Sequence, residues 1–340
     1  SFQMKLRYYV AQRLLLILPI LMGLSIITFV LSHIVPGDPI RLAAGPQATP
    51  EQIEAMTKEF GFDSPLVVEY LSYMRGLLRG NLGRSVVSHR PVAWDLRIYL
   101  PATVELTLAA MIIAVMAGVP LGVSAAISQN RWPDHYSRVL AILGGSVPSF
   151  WLGILLQLAF AFYFRLLPLG GRFDVIIPFP PKITGMLLVD SLLTHDLPRF
   201  GIALRHIILP AFCQSVGALA LVSRLTRASV LDVIHRDFVL MERSCGVPEG
   251  IIFFKYVLKN SFMATLSMIG LFIGYMMAGS VLVETVFDWP GLGLYATNSA
   301  KFKDFQPVMG VTLLAGLIFC LVNLIVDLLY GVVDPRIRHG

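Results

Sequence analysis

Long apolar stretches constrain this chain most, because each can cross a bilayer whose hydrocarbon core of about 30 Å needs about 20 helical residues. Six stretches are at or near this length: residues 9–35, 102–127, 139–164, 207–222, 262–283 and 308–333. Apolar residues make up 56% of the 340 and charged residues 14%, whereas soluble domains average about 45–50% and about 25%. The sequence therefore excludes an ordinary soluble enzyme and predicts an all-α polytopic membrane protein with six transmembrane helices.

A cleavable signal peptide is the alternative interpretation of the first stretch, since Lys5, Arg7 and Arg13 resemble a positively charged leader. The apolar core that follows Arg13 is longer than a signal core, and it ends at 36–39 without a small-residue cleavage pattern. We therefore predict that residues 9–35 are retained as the first span.

Lysine and arginine in the connections set the expected orientation, because cytoplasmic loops carry an excess of them. The N-terminal tail, the second-to-third connection, the loop at 224–260 and the C-terminal tail contain Lys5, Arg7, Arg13, Arg131, Arg138, Arg224, Arg227, Arg236, Arg243, Lys255, Lys259, Arg336 and Arg338. The opposite segment 165–206 also carries five basic residues. Because the N-terminus and the 224–260 loop agree, we expect both termini in the cytoplasm.

The connections divide the chain into three parts: a tail and first span at 1–35, an extracytoplasmic cap at 36–101, and a core of spans 2–6 at 102–340. In the cap, Thr49 is a good N-cap and Pro50 suits the first helical position, which predicts a helix ending at Phe60 before Gly61. A second cap helix is expected at 65–78. Proline and glycine predict a mainly irregular loop at 165–206.

Motifs that would carry chemistry are missing from the sequence. It contains no G-x-x-x-x-G-K-[ST], G-x-S-x-G, H-E-x-x-H or C-x-x-C, its seven histidines are scattered, and its three cysteines lie far apart. We expect no catalytic residue, no metal site and no cofactor bound by this chain. The net charge of +6 is attributed to cytoplasmic loops, so nucleic-acid binding is not expected.

Polar residues in or near the spans are candidates for a pathway or a gate, because burying them in lipid is expensive. They are Glu105, Gln157, Gln214, Glu284 and Asn323. For Glu105 the simpler interpretation is a residue at the membrane interface. For Asp327, snorkelling or pairing with an arginine is favoured over proton transport.

The loop at 224–260 has partial helical spacing, a break at Gly246 and an apolar patch at 251–254. An apolar patch on the cytoplasmic side favours a helix that docks into a cleft of a soluble partner. A helix lying on the membrane surface is the alternative, and the spacing alone does not separate the two.

Ordered motifs across nearly the whole chain resemble the permease subunit of ATP-binding-cassette importers of the dipeptide, oligopeptide and nickel class. They are VPGDP at 35–39, FGFDSP at 60–65, GNLGRS at 80–85, PATVEL at 101–106, RLTRAS at 224–229, DWPGLG at 288–293, NLIVDLLY at 323–330 and DPRIRH at 334–339. In that family the cytoplasmic loop carries E-A-A-x-x-x-G. This chain keeps Gly246 but has Leu-Met-Glu at 240–242.

The resemblance implies a non-enzymatic permease in the bacterial inner membrane. Its implied partners are a homologous second permease, two cytoplasmic ATPase subunits that hold ATP and Mg, and an extracytoplasmic solute-binding protein. It implies ATPase docking through Arg236, Asp237, Glu242, Arg243, Gly246, Ile251, Phe253 and Phe254. The implied solutes are peptides, glutathione or a nickel complex, and peptides rank first because the spans hold no His or Cys cluster.

Other classes of protein stay open on the residues alone. A stand-alone ion-coupled secondary transporter would show a coupling acid at mid-span and inverted repeats. Neither is evident in the sequence. An intramembrane enzyme would need a nucleophile or metal set that the sequence does not offer.

Overall fold

The computed structural model describes residues 2–34, 40, 48–60 and 65–333. The expected end of the first span at Val35, the Gly61 helix stop and the motif at 334–339 lie outside these residues. The helices are α1 Phe2–Ile34, α2 Pro50–Phe60, α3 Leu66–Leu78, α4 Val92–Ile127, α5 Trp132–Ser146, α6 Ser149–Leu156, α7 Leu187–Leu193, α8 Leu197–Ile234, α9 Asp237–Ser244, α10 Glu249–Ile251, α11 Lys259–Val286, α12 Leu292–Lys301 and α13 Phe305–Val333. π-Helical segments extend α6 over Gln157–Tyr163 and join α10 to α11 over Ile252–Leu258.

Four of the described helices are long and apolar enough to cross a membrane, at Val10–Ile34, Val92–Ile127, Leu197–Ile234 and Phe305–Leu328. Two bent pairs also qualify if each is one span: Trp132–Ser146 with Ser149–Tyr163, and Met268–Met277 with Gly279–Val286. The all-helical architecture is therefore confirmed, with four to six candidate spans in the described part of the chain.

The third apolar stretch is a broken helix rather than a continuous one. Its two halves meet at 102° around Val147 and Pro148. Pro148 has no backbone N–H and forces Val147 into an extended conformation, so α5 ends there and Pro148 becomes the N-cap of α6. The sequence predicted one continuous span over 139–164, and the structure divides that stretch at Pro148.

The long connection at 165–206 is less irregular than the sequence predicted. Residues 165–186 form a loop, but α7 follows at Leu187–Leu193 and α8 begins at Leu197, well before the expected span at 207. Asp196 caps α8 by accepting a hydrogen bond from the Arg199 N–H at 3.1 Å, and Pro198 occupies its first turn. These start signals are local, and they outweigh the surrounding proline and glycine content.

The two cap helices are confirmed where the sequence predicted them. The Thr49 hydroxyl accepts from the Gln52 N–H at 3.3 Å, and the Gln52 side chain accepts from the Thr49 N–H at 3.0 Å. This reciprocal capping box starts α2 with Pro50 as its first residue. The second cap helix is α3.

The core of the molecule is the contact between α4 and α8. Gly118 and Gly122 of α4 lie directly against α8, and a Cβ added at Gly122 would stand 2.4 Å from the Ser223 carbonyl oxygen. Small residues allow this backbone approach, as they do between membrane helices generally. On the other side of α8, Ser137 of α5 and Ser223 hydrogen-bond through their hydroxyls at 2.9 Å.

Helix α1 packs at the edge, against α13. The Arg13 guanidinium and the Asp327 carboxylate form an ion pair at 2.9 Å, which confirms the expected pairing of Asp327 with an arginine. Further along the interface, Gly316 of α13 faces Leu24 of α1. Most residues of α1 beyond this seam are exposed.

Candidate functional site

The loop at 224–260 contains a short helix, a tight turn and a return into α11. Helix α9 ends in a Schellman arrangement: the Gly246 N–H donates to the Arg243 carbonyl at 3.0 Å and the Val247 N–H to the Glu242 carbonyl at 3.2 Å. Gly246 has φ of +77°, which glycine adopts without strain. The local sequence thus reverses the chain immediately after α9.

A buried apolar cluster holds this loop against the ends of the long helices. Its members come from α4, α8, α9 and the π-helical segment, and they are Ala126, Val230, Val233, Val239, Ile252 and Val257. Val239 and Val257 are fully buried. Burying a valine side chain contributes about 1.5–3 kcal/mol, so α9 is fixed to the spans and does not hang free.

The opposite side of the loop presents apolar residues to the surroundings. On α9, Asp237, Leu240, Met241 and Ser244 share one exposed face, because they are spaced by three and four residues. Leu240 is 50% exposed and Met241 61% exposed. Phe254 adds a third large apolar side chain, at 69% exposure.

Two of the docking residues that the resemblance implied form ion pairs within the loop. The Arg243 guanidinium donates to both carboxylate oxygens of Glu249, at 2.8 and 3.1 Å, and this partner raises the pKa of Arg243. Arg236 pairs with Asp232 at 2.6 Å. Ile251 is about half exposed, and Phe253 and Glu242 are half-buried. Docking through them stays a prediction.

An open cleft of about 880 Å³ lies beside the loop at the ends of α4 and α8. Its walls are mainly apolar and include Val123, Ile127, Leu231, Ile234, Phe253 and Phe254. Arg243 and Glu249 stand at the same cleft. Helix α9 reaches this cleft through Arg243, whereas Leu240 and Met241 on its exposed face are not among the residues that line the cleft.

A buried carboxylate fastens the loop end of α8 to α5. Asp134 accepts from Arg227 Nε at 2.6 Å and from a second Arg227 nitrogen at 3.0 Å. Arg138 and the Asn130 N–H complete its shell, at 3.0 and 2.9 Å. Asp134 is fully buried, so its charge depends on these donors. The arrangement joins the start of the 224–260 loop to the start of α5.

At the other end of α4, Glu105 is buried in a hydrogen-bonded ion pair. It accepts from Arg172 Nε at 3.0 Å and from the Leu188 N–H at 2.6 Å. Arg172 also donates to the Gly185 carbonyl at 2.7 Å. Glu105 is 5% exposed, so its charge is compensated inside the protein, and its position at the membrane interface stays a prediction. The pair ties α4 to the 165–186 loop and to α7.

Glu284 is the centre of a second buried network. It accepts from the hydroxyls of Thr103 and Ser280, at 2.7 and 2.9 Å, and from the N–H groups of Gly293 and Leu294, at 2.6 and 3.1 Å. Its side chain is fully buried. The four donors come from α4, α11 and α12, so this carboxylate locks three helices together.

Trp289 connects the two networks. Its indole N–H donates to the Ala102 carbonyl at 2.9 Å, and the Arg172 guanidinium lies 5.8 Å from its ring centroid. Glu105 and Glu284, which the sequence named as separate candidates, therefore lie around one tryptophan. Whether they also line a pathway or act as a gate stays a prediction.

The remaining three pathway candidates lie apart. Gln157 donates to the Leu169 and Val286 carbonyls, at 2.8 and 2.9 Å. Gln214 donates to the Met276 carbonyl at 3.0 Å. Asn323 lines a cleft of about 150 Å³ between α1 and α13. Their pathway role likewise stays a prediction.

Asp190 organises the loop that carries Arg172. Its carboxylate accepts from the Thr184 N–H and hydroxyl, both at 2.7 Å, and from the Gly185 N–H at 2.9 Å. Burial raises the pKa of this carboxyl, but the hydrogen bonds from Thr184, Gly185 and Ile183 outweigh burial and hold the pKa below its ordinary value. The charged form therefore stabilises the loop.

Sequence reasoning missed four residues that build these networks: Thr103, Asp134, Arg172 and Trp289. An acid inside an apolar helix needs a partner, so Glu105 was a signal to look for an arginine among the five basic residues of 165–206. Thr103 and Trp289 were visible only inside family motifs. The local signal for Asp134 is Arg138, four residues further along the same helix, whereas its contact with Arg227 spans 93 residues.

Apolar helices of membrane-spanning length, with their buried acids paired or hydrogen-bonded inside the helical core, define a polytopic membrane protein. The family model described as binding-protein-dependent transport system inner membrane component matches residues 118–339. A companion model for the N-terminal part of this membrane component matches residues 5–107. The chain belongs to this family of inner membrane transport components.

Curated relatives match over nearly the full length of the chain. The probable D,D-dipeptide transport system permease protein of Escherichia coli (strain K12) is 41% identical over 318 residues, which cover 94% of each chain. The dipeptide transport system permease protein of Alkalihalophilus pseudofirmus is 36% identical, covering 97% of this chain and 99% of its own. A glutathione transport system permease protein of Escherichia coli O6:H1 is also 36% identical, with the same coverage.

These matches confirm the resemblance seen in the sequence. The chain is a permease subunit of an ATP-binding-cassette importer of the dipeptide and oligopeptide class. It is a multi-pass protein of the cytoplasmic membrane, and the family's membrane component is not itself catalytic.

Proposed function

We propose that the chain crosses the membrane six times, with both termini in the cytoplasm, and forms half of the translocation pathway of a peptide importer. A homologous second permease supplies the other half. The two bent helix pairs support six spans, since each reaches spanning length only when its halves are taken together. In this topology the loop with α9 faces the cytoplasm.

Two cytoplasmic ATPase subunits drive the cycle in this proposal, one at each permease loop, and they bind the ATP and Mg. The observation that supports ATPase docking is that the two sides of α9 lie in different environments. One side is fixed by fully buried Val239, and the other exposes Leu240 and Met241 beside a cleft of about 880 Å³. A helix rigidly joined to the spans, with an uncovered apolar face, suits a partner that pushes on it.

Peptides are the favoured solutes, because the relatives include permeases named for D,D-dipeptide and dipeptide transport. Glutathione is the alternative within the same class, as another relative is named for it, and a nickel complex is a further one. An extracytoplasmic solute-binding protein delivers the solute and docks on the outer segments, including the cap at 36–101. The chain then divides into a first span at 1–35, this cap, and a permease core at 102–340.

The test reconstitutes the permease pair with its ATPases and binding protein in proteoliposomes and measures uptake of a labelled dipeptide. Leu240→Asp and Met241→Asp put a charge on the exposed face of α9 without touching the buried cluster. We expect ATPase co-purification and ATP-driven uptake to fall together, at least tenfold for a loss of about 1.4 kcal/mol in docking. Cys245→Ser, an exposed change next to the same helix, is the matched control.

Two outcomes contradict the proposal. Full retention of the ATPases by both variants would remove α9 from the docking surface. Uptake driven by an ion gradient, with no ATPase present, would favour a stand-alone secondary transporter instead.

A further inference from the structure

Helix α3, the second cap helix, carries an apolar face that the rest of the described chain leaves uncovered. None of its thirteen residues is buried. Val67, Leu71 and Leu78 share one face, since they are spaced by four and seven residues, and they are 71%, 61% and 83% exposed. An isolated helix of this length is marginal in water, and helices in proteins gain most of their stability by covering an apolar face.

The neighbouring face of α3 packs on the last third of α1. The Tyr70 hydroxyl hydrogen-bonds the Ser25 hydroxyl at 3.0 Å, and the Phe29 ring lies 5.1 Å from the Tyr70 ring and 6.3 Å from the Tyr73 ring. His33 and Glu69 pair at 3.2 Å at the end of the contact. These contacts determine how far α3 reaches along a membrane-spanning helix.

The contact lies inside the apolar part of α1. Ser25 and Phe29 both belong to the candidate span Val10–Ile34. At 1.5 Å per residue, Ser25 lies about 14 Å below Ile34 along the axis of α1. A helix that contacts Ser25 therefore sits at the depth of one leaflet and not wholly above the membrane.

The exposed face of α3 continues the lipid-facing surface of α1. On the same part of α1, Ile26, Ile27, Val30, Leu31 and Ile34 are all exposed and apolar. The tyrosines between the two helices are residues that favour the membrane interface. On α3 itself, Arg75 and Arg79 are exposed, and their stems can lie along apolar surface while the charged ends extend toward the polar boundary.

We propose that α3 is an interfacial helix immersed in the leaflet at the C-terminal end of α1, which is the outer leaflet in the proposed topology. Val67, Leu71 and Leu78 contact acyl chains, and the stems of Arg75 and Arg79 lie along apolar surface with their charged ends directed toward the polar boundary of the leaflet. The second half of the cap is then an anchor in the lipid, whereas polar α2 stays in water. This inference goes beyond the transport function and does not depend on the solute or on the other subunits.

The experiment places a nitroxide label at single cysteines of the full-length chain in phosphatidylcholine–phosphatidylglycerol vesicles, after Cys213, Cys245 and Cys320 are replaced by alanine or serine. Labels at 67, 71 and 78 test the exposed apolar face. Ser72, on the polar side of the same helix, and Ala55, on α2, are the matched controls, and both are exposed. Frequent collisions of the label with oxygen indicate that it lies in lipid, and frequent collisions with a neutral nickel chelate indicate that it lies in water.

We expect labels at 67, 71 and 78 to collide mainly with oxygen, and labels at 72 and 55 mainly with the chelate. Chelate collisions at 71 equal to those at 55 would place the face in water and overturn the proposal. Low collisions with both reagents would mean that protein covers the face, which also overturns it.

A second measurement uses the wild-type chain and needs no substitution. A phospholipid with a photoactivated diazirine on its acyl chain is included in the vesicles, and trypsin then cuts after Arg75 and Arg79. We expect label on the peptides that contain Leu71 and Leu78. Label confined to peptides from the long spans would overturn the proposal.

Discussion

Replacing Arg172 by glutamine tests whether the buried pair with Glu105 holds the outer loop in place. The substitution removes the donor that stands 3.0 Å from the carboxylate. It leaves Glu105, at 5% exposure, with the Leu188 N–H as the other donor that the structure shows. The side chain stays polar but ends about two atoms earlier than the guanidinium, so the contact with the Trp289 ring is also lost.

The magnitude follows from the charge that is left behind. Removing one partner of a buried ion pair costs about 3–5 kcal/mol, because the remaining charge is no longer compensated. The pair itself contributes much less than this, since replacing both charges together is often close to neutral. We therefore expect Arg172→Gln alone to reduce the stability of the 165–186 loop strongly. The double variant, Glu105→Gln with Arg172→Gln, should recover most of the lost stability.

The assay is hydrogen exchange of the amides at 184–188, because Leu188 donates to Glu105 and Gly185 accepts from Arg172. If amides exchange through local opening, a decrease of about 3 kcal/mol in the free energy of opening accelerates exchange by roughly 100-fold. Arg205→Gln is the matched control, since this exposed arginine bonds the Leu166 carbonyl of the same connection. We expect it to change exchange by less than threefold, or about 0.5 kcal/mol.

Exchange in the double variant as fast as in Arg172→Gln alone would show that an unpaired charge is not the cause of the lost stability. Wild-type exchange in Arg172→Gln would show that the pair does not hold the 165–186 loop in place.

Three further predictions concern other parts of the molecule. Gly246→Ala forces φ of +77° on an alanine that has open space around it. Backbone strain alone should then lower the free energy of unfolding by about 1–2 kcal/mol. An unchanged thermal unfolding temperature would contradict the left-handed conformation at the end of α9. The pKa of Asp190 is lowered in the folded protein, so its charged form stabilises the loop fully above the ordinary carboxyl pKa of about 4. This stabilisation is lost as the pH falls through the lower pKa of the folded state, and amide exchange at Thr184 should then rise in the wild type. Asp190→Asn should abolish that pH dependence. Asp134→Asn should weaken the contact between α5 and Arg227. We expect it to lower ATP-driven uptake more than it lowers binding of the ATPase subunits. An equal loss of uptake and binding would contradict a role for Asp134 in the steps that follow docking.

Local signals predicted part of this fold from the sequence. The capping box at Thr49 and Gln52 acts over three residues, so α2 could be located without any tertiary contact. The cost of a charge in lipid made an arginine partner for Asp327 the expected outcome, and Arg13 supplies it. The apolar stretches gave the helical class, because length and hydropathy suffice for that.

Tertiary contacts decided the rest. The corner at Val147 and Pro148 depends on whether neighbouring groups satisfy the interrupted backbone, which a proline alone does not specify. The partner of Glu105, Arg172, lies 67 residues away, and one of the partners of Glu284, Thr103, lies 181 residues away. Such pairings follow from the fold, and periodicity in one helix carries no information on them.

The glycine contact between α4 and α8 limits where this molecule can bend. With the backbone of Ser223 lying where a side chain of residue 122 would stand, there is no soft layer that could be compressed or slid between the two longest helices. The pair can therefore pass a displacement from the 224–260 loop to the networks around Glu105 and Glu284, but it cannot absorb one. Motion during a transport cycle then has to be accommodated at looser seams, such as the one between α1 and α13.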